Sequence, residues 1–155
     1  MTDAFMARAI DLAVENVKSG KGGPFAAVIV KNGQIVGEGA NRVTYVNDPT
    51  AHGEIMAIRA ACQNLQSFDL TGCEIYTSCE PCPMCLVASY WARLDRIHYG
   101  AWAADAAAAG FDDAFFYDQV RKPVDARRVP MDSLMREQGA APFRAWKEKT
   151  DKIPY

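Results

Sequence analysis

An α/β protein, with helices packed on both faces of a central sheet, is the fold that the sequence predicts. Three observations carry the prediction. Apolar residues at helical spacing open the chain, two strand-like runs flank an Asn-Gly pair, and helical and strand patterns then alternate. With 155 residues, half of them apolar, the chain can close a hydrophobic core without staples, so a single domain over residues 1–155 is expected.

The first helix is predicted over residues 3–19, where Phe5, Ala9, Leu12, Ala13 and Val17 share a face, Asp3 can cap the start and Gly20 can stop the end. The run 25–30 (FAAVIV) then meets Asn32-Gly33, a pair that tolerates positive φ, and 34–39 returns as its antiparallel neighbour. Asp48-Pro49 is read as the opening of a second helix, since Asp can cap and Pro fits the first helical position; its apolar spacing runs on through Ile55, Met56, Ile58, Ala61 and Cys62. A buried strand follows at 73–78, a third helix at 81–91 and a fourth strand at 96–101. Beyond these the pattern weakens to an alanine-rich helical stretch (103–109), the segment FDDAFFYDQV, a strand near 127–134 and a last helix near 142–150.

Composition excludes several functions. A formal charge of -2 and a pI near 5.7 offer no basic surface for phosphates, so no nucleic-acid partner is expected. The apolar runs are too short for a membrane span and no apolar leader opens the chain, so the expectation is a cytoplasmic protein with no membrane partner. Three of the five cysteines crowd into Cys79, Cys82 and Cys85, a spacing suited to thiolate chemistry under reducing conditions and not to a disulfide framework.

The central signal is H52-x-E54 followed by P81-C82-x-x-C85, each half at a predicted helix N-terminus. Cys82 and Cys85, three apart, can share one ion, and His52 supplies a third ligand from the other helix. Three protein ligands leave the fourth tetrahedral position of one Zn2+ per chain open, which marks a catalytic site and not a closed structural one. Hydrolysis there also needs a carboxylate to move protons, and Glu54 is the candidate. Residues two apart on a helix point to nearly opposite sides, so His52 and Glu54 can serve one site only if the metal lies off the helix end. Cys79 is an alternative fourth ligand that would close the site, whereas Cys62 and Cys73 read as core cysteines and His98 as structural.

This pair of motifs is the signature of zinc-dependent base deaminases, and the chain resembles the cytidine deaminase superfamily over residues 1 to about 110. Within it, GGPFAAVIV, NDPTAHGE, TSCEPCPMC, YWAR, AGFDDAF and PFRAW resemble the bacterial guanine deaminase family, so the likeness extends over nearly the whole chain. The resemblance implies a cytidine-deaminase-like three-layer α/β/α sandwich with a central mixed sheet. It also implies a homodimer and conversion of guanine, a small-molecule nucleobase, to xanthine and ammonia. It maps His52, Cys82 and Cys85 to the metal, Glu54 to proton transfer, Asn41 and Asp113 to contacts with the base, and Phe25 and Trp91 to pocket walls.

Guanine presents N1–H and its 2-amino group as adjacent donors, so a buried carboxylate would select it against cytosine. Asp112 and Asp113 are the available pair, one facing inward and the other free to cap the helix that follows; the resemblance favours Asp113. Phe25 either stacks on the base or belongs to a core strand, and Asn41 either bonds to the base or holds a turn. Residues 142–155 carry Phe143, Trp146 and Tyr155: either a packed last helix, or a lid whose Tyr155 closes its own or a partner's active site. The rival readings are deamination of cytosine, deamination of adenosine in tRNA, and a non-enzymatic zinc-stabilised binding module.

Overall fold

The computed structural model describes residues 2–155. Four strands form one sheet in the order β2-β1-β3-β4: β1 (Ala26–Lys31), β2 (Gln34–Ala40), β3 (Cys73–Cys79) and β4 (Arg96–Ala101). Strand β1 pairs antiparallel with both β2 and β3, and β3 pairs parallel with β4, so the sheet is mixed. The β1–β2 hairpin turns on Asn32 (φ 50°) and Gly33 (φ 75°), the two positive angles that a tight hairpin between twisted strands requires.

Strand alternation divides the core into two layers. Val28, Val30 and Tyr76 meet Ala9, Phe5, Met6 and Leu12 of α1 (Thr2–Lys18) on one face. On the other, Ala27, Ile29, Cys73 and Ile75 meet Ala57 and Ala61 of α3 (Gly53–Leu65), together with Leu70 and Ala92. Ile29 and Ile75 are fully buried, and truncating either to Ala should cost about 2–5 kcal/mol. Two glycines let α3 lie directly on β2. A Cβ at Gly37 would stand 2.6 Å from the Ala57 carbonyl oxygen, and one at Gly39 would run into the backbone of Gly53 and Ala57. At the same end, a Cβ at Gly53 would stand 2.8 Å from Ala26 Cα, so the N-terminus of α3 is seated against the start of β1.

Two expectations need correction. Asp48-Pro49 does not begin a helix: the Asp48 Oδ1 accepts from the Thr50 N–H (2.8 Å) and the Thr50 hydroxyl (2.7 Å), closing a turn, and the helix waits until Gly53. A four-residue helix, α2 (Val43–Val46), precedes that turn. The strand near 127–134 is also absent. A single 3-10 turn, Val124–Ala126, is held by the Arg127 guanidinium on the Lys122 carbonyl (3.2 Å) and by the Arg128 N–H on the Gln119 side chain (2.7 Å), which satisfies polar groups locally without a sheet partner.

Between β3 and β4 lies α4 (Pro83–Trp91), and α5 (Ala103–Ala108) and α6 (Ala114–Arg121) follow. The chain divides into two compact units at Tyr117. The second, Asp118–Tyr155, holds the last turn of α6, the 3-10 turn, α7 (Arg136–Gly139) and α8 (Ala141–Glu148).

Candidate metal centre and active site

Both metal motifs end up just outside a helix. His52 is the N-cap of α3 (φ −71°, ψ 157°) and Cys82 the N-cap of α4 (φ −66°, ψ 166°), with Pro83 fixing the first helical position. An extended N-cap does not follow the helical period, so His52 and Glu54 turn toward one cavity although they are two apart. Cys85, one turn into α4, is fully buried.

The ligand atoms of His52, Cys82 and Cys85 lie within 4.8 Å of one another. His52 Nδ1 is 3.6 Å from Cys82 Sγ and 3.4 Å from Cys85 Sγ, where tetrahedral zinc with ordinary bond lengths sets N and S about 3.5 Å apart. One imidazole and two sulfurs are also the donor types that zinc prefers, so this set fits the metal in chemistry and in spacing. Cys79 is not in the group: its sulfur lies 3.8 Å from the Trp102 carbonyl oxygen, and burial pushes its thiol up to about 11.

The protons of the site show the same design. Hydrogen bonding from Cys85, and then from His52, holds the Cys82 thiol down to about 4, while the bond to Cys82 and burial push Cys85 upward. Without a cation the two sulfurs thus share one negative charge; a dication would make both thiolates. His52 is raised, chiefly by its hydrogen bond to Cys82. Glu54, only 6% exposed, is pushed up by burial, and its Oε1 accepts from the Thr77 hydroxyl at 3.3 Å.

These groups open onto a cavity of about 400 Å³, the size of a small-molecule site. Phe25 and Phe111 line it and meet edge to face, ring centres 5.0 Å apart. Asn41, buried at the end of β2, also lines it. Its Oδ1 accepts from the Gly23 N–H (3.3 Å) and the Val43 N–H (3.2 Å), which leaves the side-chain amide as the group available to a ligand. The neighbouring aspartates divide their work: Asp112 Oδ1 accepts from the Ala114 N–H (2.9 Å) at the start of α6, whereas Asp113 faces the cavity. Burial, and next the Cys82 charge, raise the Asp113 carboxyl above its ordinary value.

Trp91 is not among the residues that line this cavity within the chain. It occupies the last turn of α4, about 9 Å along the axis from Cys85 at 1.5 Å per residue, and is 63% exposed. Tyr155 ends the second unit and is exposed there. His98 pairs with Glu74 (2.7 Å) and stacks on Tyr76, a role in the fold. Sequence reasoning missed Val43, Thr44, Pro49, Glu80 and Phe111 as lining residues, and Thr77 as the partner of Glu54. Glu80, whose carboxylate accepts from the Ala103 N–H (3.0 Å), was within reach, since it stands beside the Pro81-Cys82 motif.

Comparison with known proteins agrees with this geometry. Residues 1–101 match the family model of the cytidine and deoxycytidylate deaminase zinc-binding region. The chain is 50% identical to the guanine deaminase of Bacillus subtilis over 99% of its own length and 98% of the relative's. The X-ray structure of guanine deaminase from Bacillus subtilis superimposes with a TM-score of 0.96 over 99% of this chain and 98% of that one, also at 50% identity. The tRNA-specific adenosine deaminase of Aquifex aeolicus is 42% identical over only 50% of this chain and 52% of its own. The zinc-ligand geometry, the mixed sheet between two helical layers and these likenesses lead to one conclusion: the chain belongs to the cytidine and deoxycytidylate deaminase zinc-binding family.

Proposed function

We propose that this protein is a zinc-dependent hydrolase that converts free guanine to xanthine and ammonia, with one zinc per chain held by His52, Cys82 and Cys85. The observation that carries the reading is 50% identity to a guanine deaminase across 99% of the chain. The sequence likeness to the tRNA-specific enzyme of Aquifex aeolicus spans half the chain, against 99% for the guanine deaminase, and the net charge of -2 does not favour a nucleic-acid substrate.

When bound, zinc supplies the Lewis acidity that makes water nucleophilic near neutral pH. The remaining work falls to the chain. Glu54 takes a proton from the attacking water and delivers it to the ring nitrogen beside C2; it then takes the second proton of that same oxygen and passes it to the amino group, so that the C2–N bond breaks, the C2 carbonyl forms and ammonia leaves. Burial raises its pKa toward the working range, which suits a group that must both accept and donate. Asp113 accepts from the adjacent N–H donors of guanine, Asn41 donates to an acceptor of the ring, and Phe25 packs against its face.

The two units are proposed to act as one deaminase domain, with the tail carrying Tyr155 as a lid that excludes water from its own site or a partner's. The protein is proposed to be a cytoplasmic homodimer. Val87, Tyr90 and Trp91 leave an apolar face of α4 exposed, the kind of surface that a second copy covers. No helix among the described residues is long and apolar enough to cross a membrane.

Ammonia release from a panel of guanine, guanosine, adenine, cytosine and a tRNA anticodon stem-loop tests the substrate. Guanine should be turned over far faster than the others. Preference for cytosine or for the stem-loop would overturn the reading.

A further inference from the structure

Asn16 is a polar residue on the buried face of α1, 3% exposed, on the helical stripe that also holds Ala9 and Ala13. A buried amide must find partners, and here every one of them leads to the wall of the cavity. Its Nδ2 donates to the Gly23 carbonyl (2.8 Å) and to the Asn41 carbonyl (2.9 Å), and its Oδ1 accepts from the Arg42 guanidinium. Arg42 donates in turn to the same Asn41 carbonyl at 3.0 Å. Packing adds a second constraint: a Cβ at Gly22 would stand 2.9 Å from Asn16 Nδ2 and would collide with the Asn41 carbonyl.

The clamp fixes both things on which the Asn41 side chain depends. The Asn41 backbone is gripped from two sides at its carbonyl, and its own N–H donates to Phe25 (2.9 Å). Gly23, gripped by Asn16 at its carbonyl, aims its N–H at Asn41 Oδ1. Because that oxygen already accepts two backbone N–H groups, rotating the Asn41 amide would place NH2 against two donors. Asn41 can therefore show the cavity only hydrogen-bond donors.

We propose that Asn16 is a positioning residue for substrate binding: through Gly23 and the Asn41 backbone it holds the Asn41 amide with its donors toward the base. The proposal rests on the reading of Asn41 as a substrate contact. It makes α1, none of whose residues lines the cavity, part of the machinery that orients the ring.

The test is a double-mutant cycle on the zinc-loaded enzyme with guanine as substrate, combining Asn16→Asp or Asn16→Ala with Asn41→Ala. Asn16→Asp keeps the shape and the acceptor for Arg42 but loses both donors. KM should rise about tenfold or more, the scale of one buried hydrogen bond lost, with kcat changed less and zinc content unchanged. In the Asn41→Ala background the same change should lower kcat/KM by less than about twofold, because nothing remains to be positioned. Arg42→Met, at a half-buried site, gives a second reading if the Asn16 variants fold poorly, and should show a smaller loss that also disappears with Asn41→Ala. Equal fold-losses in both backgrounds would make Asn16 a purely structural residue and overturn the proposal. Failure of the wild type to act on guanine would instead overturn the substrate assignment, and the same cycle run on the base it does deaminate would still test the clamp.

Discussion

The Thr77 hydroxyl stands 3.3 Å from the Glu54 carboxylate and 3.1 Å from the Cys79 carbonyl, and it has one proton to give. When Glu54 is ionised, that proton belongs on the carboxylate; when Glu54 is protonated, Thr77 can accept from it and donate to Cys79 instead. Both states of a buried acid thus keep a partner, which removes part of the penalty of moving a proton in the interior. Thr77→Val preserves shape and deletes the hydroxyl. The ionised carboxylate then loses a donor, its pKa rises, and the acid limb of the kcat–pH profile should move to higher pH with kcat down about tenfold near neutrality. An unmoved limb would detach Thr77 from proton transfer.

Asp113→Ala should damage guanine turnover far more than any residual turnover of smaller bases, because it leaves two substrate donors buried without an acceptor. Asp112→Ala should do the reverse, lowering thermal stability slightly through the lost bond to Ala114 while kcat/KM is kept. Steady-state kinetics on both variants, with thermal melts, separates the two aspartates.

Arg8 and Glu38 form a two-pronged ion pair at 2.8 and 2.9 Å between α1 and β2. The Arg8 bond holds the Glu38 carboxyl below its ordinary value, so the folded pKa is lower than the unfolded one. Stability from this pair is therefore present above about pH 4.5 and is lost as pH falls through the folded value. Both side chains are more than a third exposed, which limits the contribution to about 0.5 kcal/mol. Glu38→Gln should melt slightly below the wild type at pH 7, and the two melting temperatures should converge on acidification.

Removing residues 151–155 takes away Tyr155 and leaves α8 complete. Zinc content and melting temperature should stay near wild type while KM for guanine rises or kcat falls. Unchanged kinetics would reduce the tail to a structural cap.

What the sequence revealed follows from how local each signal is. The cluster of His52, Cys82 and Cys85 was legible because helix N-termini, a proline and a three-residue spacing are written in neighbouring residues, and Arg96–Ala101 was bounded correctly by its own pattern. Asp48 was misread because an aspartate accepts from a turn N–H as readily as from a helix N–H; the seating of Gly53 on Ala26, a tertiary contact, decided between them. Helix position does not reveal which surface lies opposite Trp91. Thr77 and Asn16 were overlooked for a related reason. Each is one ordinary polar residue whose partner lies 23 or 25 positions away, although a polar side chain on an apolar helix face was a readable hint for Asn16.

The most direct test of the account is Glu54→Gln assayed beside His52→Ala and Cys85→Ala, with zinc and ammonia measured on the same preparations. Glu54→Gln should bind one zinc per chain and melt like the wild type, yet lose about 10² to 10⁴-fold in kcat, since an amide cannot relay protons. The two ligand variants should lose zinc and activity together. A loss of only a few-fold in Glu54→Gln, or full activity in a metal-free preparation, would contradict the assignment of zinc and Glu54 as the centre of the chemistry.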